Sequence, residues 1–327
     1  MSFRSAMTMT KPVPNTVRSQ STEAIDNLFQ ALATTNTTTK AGWCLKEAIH
    51  HTVGVDDGRI APLIERHGLP GFYFENQNLY RHDATQDIKD ARTCFQSLVR
   101  TIAGQFVSGR SAQAAWKRVL EISGNDLTPE MILQVAAGDI EFKLQKPAGL
   151  TKAKAASLVD LANHFQDGRL SEEWLNAASE EDVRKALLKV RGIGPWTCDI
   201  FLMFYLERPN ILPLGDLGVR KGIASWFGWR GSLPKGQLCP KKDAAWINEK
   251  LEVYKPYQSI LTYFMWRAAD TPAQPDSSTA QNRTNDQSAP VSTPQKTPQK
   301  RAASVLSTSE EPPKKRAAKI SKRVVTP

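Results

Sequence analysis

Between Val190 and Thr197 the chain reads Val-Arg-Gly-Ile-Gly-Pro-Trp-Thr, and this octet constrains the fold more than any other stretch. Apolar residues at helical spacing lead into it, and a second helix is expected to begin near Pro195, since proline fits the first turn of a helix and not its interior. Gly192 and Gly194 permit positive φ and carry no Cβ, so two helices can be joined by a very tight turn. A helix N-terminus placed this way presents backbone N–H groups outward and forms a site for an anion such as a phosphate. An ordinary tight turn with Ile193 as a core plug is the competing reading.

The rest of the central chain fits a wholly helical surrounding. From about residue 41 to 270 apolar residues recur at 3.6-residue spacing, as in Cys94-Leu98-Ile102 and Ala155-Leu158-Val159-Ala162. Helix starts are marked by Thr128-Pro129, Thr151, Ser179 followed by acids, and Ala61-Pro62. Phe72-Tyr73-Phe74 is the best of few strand signals. The expectation is an all-α fold, a compact core of roughly ten helices over 41–270, flanked by disordered tails. Residues 1–40 are rich in Ser, Thr and Asn and offer little to bury; residues 271–327 shift to Ser, Thr, Pro, Gln and Lys. Residues 41–75 read as helical and are expected to pack on the core.

Charge narrows the partners. The chain carries a net +10, and the 271–327 tail alone holds ten Lys or Arg against four acids. Lys314-Lys315-Arg316 and Lys319 to Arg323 form two basic clusters of the type read by a nuclear import receptor or used as a nonspecific DNA tether; a solubilising tail is the plainer alternative. Arg4, Lys11 and Arg18 without an acid resemble an organelle transit peptide, but Pro12 and Pro14 interrupt the amphipathic helix that mitochondrial import requires. The expected location is therefore the nucleus, with mitochondrial import as the alternative. The longest apolar run, Ile200 to Leu206, is far short of the roughly 20 residues that span a bilayer. No membrane partner is expected. Four scattered cysteines and five histidines show no metal-binding spacing, so neither metal nor organic cofactor is expected.

Asp216 follows the hairpin after an apolar helix and an extended Ile-Leu-Pro-Leu segment. An isolated aspartate here would be read as the N-cap of a helix running from Leu217 to Phe227. Beside an anion-binding hairpin it has a second reading. Cleavage of an N-glycosidic bond passes through an oxocarbenium-like sugar, which a fixed carboxylate stabilises. The two roles are compatible, because a capping carboxylate is already oriented.

These residues, with Leu98 to Ser108, Leu212 to Lys221 and Tyr254-Lys-Pro-Tyr257 leading to Trp266, resemble the helix-hairpin-helix DNA glycosylase superfamily, in particular its alkylpurine (3-methyladenine) branch. The resemblance covers about Phe95 to Trp266. It implies that Asp216 is the catalytic carboxylate and that Gly192, Ile193, Gly194 and Thr197 form the DNA-binding hairpin. Trp196 and Trp266 fall on aromatic base-pocket positions, where an indole face would attract a cationic base; both can equally be core tryptophans. Ile200 stands where bacterial relatives place a pocket tyrosine. Phe106, after Gln105, falls on the wedge that fills the gap left by a flipped nucleotide, with a buried helix-face phenylalanine as the alternative; Gln105 is expected at the DNA.

Strand-cleaving members of the superfamily carry a lysine where this chain has Trp196, and no four-cysteine cluster follows Asp216. The resemblance thus implies a monofunctional glycosylase that releases alkylated purines from damaged double-stranded DNA in base excision repair, and the chain is expected to be a monomer. Two alternatives remain at this stage: a glycosylase for oxidised or deaminated bases, and a noncatalytic helix-hairpin-helix DNA-binding protein in which Asp216 is only a cap.

Overall fold

The computed structural model describes residues 15–30, 37–71, 93–124, 126–137, 144–146 and 148–269. The two basic clusters, the Arg4/Lys11 segment and Phe72-Tyr73-Phe74 lie outside the described residues. Thirteen α-helices are present among the described residues: α1 (Asn15–Gln30), α2 (Leu45–Gly54), α3 (Ala61–His67), α4 (Cys94–Gly104), α5 (Gly109–Ile122), α6 (Pro129–Ala137), α7 (Lys152–Gln166), α8 (Glu172–Ala177), α9 (Glu180–Leu187), α10 (Pro195–Ile200), α11 (Leu217–Phe227), α12 (Ala244–Lys250) and α13 (Gln258–Ala269). The only β feature among them is an isolated bridge between Thr38 and Cys44. None of these helices is long and apolar enough to cross a membrane. The all-α expectation holds; α1 lies outside the 41–270 span expected to hold the helices, and short elements such as α8 and α12 show no period in sequence.

Helix starts follow local chemistry. Thr93, Ser108, Thr151, Ser171, Ser179 and Asp216 each turn a side-chain oxygen onto a backbone N–H of the first turn of α4, α5, α7, α8, α9 and α11, satisfying donors that a helix leaves without a partner. Thr128 does the same for Met131 at the start of α6. Across the fold, the Glu172 carboxylate accepts from the N–H groups of Cys94 and Phe95 at 2.8 and 3.1 Å and ties α8 to the N-terminus of α4.

Two packed sets of helices follow. α4 buries Cys94, Leu98 and Ile102 completely and packs on α5, α7 and α10. α11 packs on α13, and α13 also meets α2 and α3, so residues 41–71 cover the helical core as expected. One expectation is corrected. Residues 15–30 were assigned to a segment without a core, yet they form α1, which packs on α2 and α3 with Ile25 and Phe29 buried. The Ser/Thr/Asn-rich average hides Ile25, Leu28 and Phe29, whose i, i+3, i+4 spacing makes one apolar stripe.

Asp56, between α2 and α3, accepts a hydrogen bond from the Tyr254 hydroxyl at 2.7 Å. Burial raises its carboxyl to about 6, against that bond and the nearby Arg59, which both lower it. A carboxyl raised in the folded state stabilises below its unfolded value near 4 and loses that contribution as pH rises through about 6. The difference corresponds to about 3 kcal/mol. We expect Asp56→Asn to gain stability over the unmutated chain between pH 4 and pH 7 by an amount of this order, measured by denaturant unfolding at both values. An equal difference at the two pH values would rule the assignment out.

Candidate active site

Three helices distant in sequence converge on Asp216. The residue caps α11 as expected: its Oδ1 accepts from the Val219 N–H at 3.0 Å. The same oxygen accepts from the Trp266 indole N–H at 2.9 Å, and Oδ2 accepts from the Trp196 indole N–H at 2.7 Å. Trp196 comes from the first turn of α10 and Trp266 from α13, so the carboxylate lies where the two sets of helices meet. A carboxylate offers about four lone-pair positions, and three are occupied here. The remaining one is on Oδ2.

The backbone around this group is equally fixed. Arg220 donates through one nitrogen to the carbonyls of Leu214 and Asp216 at 2.6 and 3.2 Å, and through Nε to the Leu238 carbonyl at 3.0 Å. This clamp was not anticipated, although an arginine one helical turn after a capping aspartate is a visible signal. Gly218 also proves necessary: a Cβ there would lie 2.8 Å from Trp266 Cδ1 and 3.1 Å from Asp216 Oδ1. Nearby, Arg184 pairs with Asp199 at 2.5 Å. Burial raises the Asp199 carboxyl despite this partner, and the charge of Asp216 raises it further. Burial also pushes the Cys198 thiol up to about 11, which keeps it protonated at neutral pH and removes it as a nucleophile.

Both tryptophans are half-buried, and their edges are committed to Asp216. One face of Trp266 is stacked on Phe204, with ring centroids 5.4 Å apart at 16°. The chain continues from α10 as a π-helical turn, Phe201–Tyr205, which delivers Phe204 to that face. Ile200 and Trp196 line a cavity of roughly 170 Å³, together with Phe204, Thr101, Gly104 and Gly109. Gly104 and Gly109 bracket the turn that carries Phe106. That side chain is fully exposed, with φ of 58°, so the buried helix-face alternative is excluded.

Of the two hairpin glycines only Gly192 needs its missing Cβ; Gly194 has φ of −117° and no atom within 4 Å of where a Cβ would stand. Gly192 has φ of 76°, and a Cβ on it would collide with the Ser157 hydroxyl of α7. Gly194 is the N-cap of α10, with Pro195 in its first turn. Two hairpin residues expected at DNA have inward side chains. Ile193 is 6 % exposed and plugs the core, and Thr197 is 1 % exposed. Their side chains are occupied within the protein. The Gln105 amide is likewise engaged inside, donating to the Gly192 carbonyl and the Thr197 hydroxyl at 2.9 Å each. Among the described residues, no three His, Cys, Asp or Glu side chains gather as a metal site.

Residues 99–242, which include the Phe106 turn, the hairpin and Asp216, match the family described as HhH-GPD superfamily base excision DNA repair protein. DNA-3-methyladenine glycosylase 1 of Schizosaccharomyces pombe is 26% identical over 193 residues, 58% of this chain and 77% of that protein. The DNA-3-methyladenine glycosylase of Saccharomyces cerevisiae is 28% identical over 199 residues, 54% of this chain and 67% of that protein. The solved structure of the Schizosaccharomyces pombe 3-methyladenine DNA glycosylase Mag1 in complex with abasic DNA has a TM-score of 0.55 at 23% identity, covering 70% of this chain and all of that one. At that identity the likeness establishes the fold.

Proposed function

We propose that this chain, whose residues 99–242 match the HhH-GPD superfamily of base excision DNA repair proteins, is a monofunctional DNA glycosylase that hydrolyses the N-glycosidic bond of alkylated purines. The observation that carries this reading is Asp216, held by two indole N–H groups and a helix-start amide with one lone-pair position left open. A carboxylate restrained in this way is suited to electrostatic work. As the glycosidic bond stretches, positive charge grows on the sugar, and a preorganised negative group lowers the energy of that state without having to reorient. The open position on Oδ2 can also accept from a water that attacks the sugar carbon.

The surrounding parts fit the steps before chemistry. Phosphates dock on the N–H groups at the start of α10, where an anion needs no sequence-specific contact. Phe106 enters the duplex and offsets part of the unstacking cost when the damaged nucleotide leaves the helix. Trp196 and Ile200, which line the cavity, and Trp266, stacked on Phe204 of its wall, supply apolar and aromatic surface for the extruded base. The alkylated base then departs as a neutral molecule, so a carboxylate suffices without a strong general acid. The match of the alkylpurine relatives in two yeasts supports this choice over oxidised or deaminated bases. Damaged duplex DNA is the macromolecular partner in this proposal.

The expected result in single-turnover assays is faster release of 3-methyladenine and 7-methylguanine than of 8-oxoguanine or uracil in one duplex context. Trp196 supplies no amine, so the product should be an intact abasic site, with no enzyme–DNA adduct trapped by borohydride. Uracil or 8-oxoguanine as the best substrate would overturn the alkylpurine assignment. Efficient trapping would overturn the monofunctional one.

A further inference from the structure

We infer that Gln105 is a positioning residue that couples phosphate docking at the hairpin to insertion of Phe106, an inference that rests on the glycosylase reading. Its amide nitrogen lies 2.9 Å from the Gly192 carbonyl and 2.9 Å from the Thr197 hydroxyl. A carbonyl can only accept, so the nitrogen and not the amide oxygen must face Gly192. Both N–H bonds are therefore spent on the hairpin, and neither is left to read a base.

The next residue in the chain is Phe106. Its ring is fully exposed and its backbone has φ of 58°, a conformation disfavoured for a bulky L-residue and kept only where the surroundings enforce it. The enforcement is visible at both ends of the turn. Gln105 fixes the entry to the hairpin, and Ser108 fixes the exit by accepting from the Ser111 N–H at 3.3 Å at the start of α5. Below both runs α7, whose Lys154 ammonium donates to the Ala103 carbonyl at 2.8 Å and whose Asp160 accepts from the Arg191 N–H at 2.7 Å. Wedge turn and hairpin thus form one braced unit. A strand that seats its phosphate on the hairpin meets the Phe106 ring at a fixed offset, so a backbone contact without sequence information determines which step of the stack is opened.

The test is a double-mutant cycle in the full chain with Gln105→Leu and Phe106→Ala. Two readouts are taken: single-turnover release of 7-methylguanine, and fluorescence of 2-aminopurine beside an abasic site, which reports ring insertion without chemistry. Gln105→Leu should lower both about tenfold. In the Phe106→Ala background it should change either by less than about twofold, because the ring it positions is gone. Multiplying effects in the double variant, or full activity of Gln105→Leu, would overturn the inference. Should Gln105→Leu not fold, Thr197→Val removes one of the two acceptors and is carried through the same cycle, with about a threefold loss expected alone and none beside Phe106→Ala. If the unmutated chain releases no damaged base, the glycosylase reading fails, while the abasic-site fluorescence still decides the coupling.

Discussion

Asp216→Asn is expected to lower base release on the order of 1,000-fold, about 4 kcal/mol of transition-state stabilisation. The amide keeps the size of the carboxylate, and its oxygen can still accept from Val219 and Trp266, the partners of Oδ1. Its NH2 group would then replace Oδ2 and face the Trp196 indole N–H, donor against donor. The substitution therefore removes the charge and opens one side of the clamp. Binding to abasic-site DNA should persist, since the hairpin and Phe106 are untouched. Trp196→Phe separates the two effects, because it removes the Oδ2 donor and keeps the charge, so its loss should be much smaller. Retention of more than about a tenth of the turnover by Asp216→Asn, under about 1.4 kcal/mol, would exclude Asp216 as the main source of catalysis.

Gly222→Ala is expected to destabilise the fold by about 3 kcal/mol, with a fall in Tm of roughly 6 to 12 °C. α11 and α13 approach so closely at Gly222 that a Cβ would overlap the backbone carbonyl of Met265. A backbone atom in mid-helix cannot rotate aside as a side chain can, so the two helices must separate. Met265 precedes Trp266, and the displacement would also loosen the indole that holds Asp216 Oδ1. Thermal unfolding and base release measured on the same preparation check both consequences. A Tm within 2 °C of the unmutated protein would mean that the helix pair is more yielding than its geometry implies.

How much of this was legible in the sequence depended on the range of the interaction. Thr151, Ser179, Pro195 and the capping role of Asp216 were readable because a cap and its helix are neighbours in the chain. The helical stripes of α4 and α7 were readable for the same reason. The indole N–H bonds to Asp216 were not, since they join residues 20 and 50 positions away, and nothing in Trp196 or Trp266 distinguishes a face that stacks from an edge that donates. Phe106 had two open readings because exposure is decided by the backbone of its turn. Ile193, Thr197 and Gln105 are expected at the DNA by motif; the side chains of Ile193 and Thr197 are buried, and the partly exposed Gln105 amide is bonded to the hairpin. The motif fixes the backbone turn and does not say where each side chain points.

The distribution of the clamp along the chain also has a consequence in time. Trp196, Asp216 and Trp266 arrive from α10, α11 and α13 in the order of synthesis, and Trp266 belongs to the last described helix. Until α13 docks through Gly218 and Gly222, Asp216 lacks its second indole and α11 lacks its partner. A nascent chain that has already made the hairpin and the Phe106 turn therefore has the surface proposed to meet a duplex before it has an oriented carboxylate. The proposed catalytic carboxylate is therefore oriented only after every other described helix has been made.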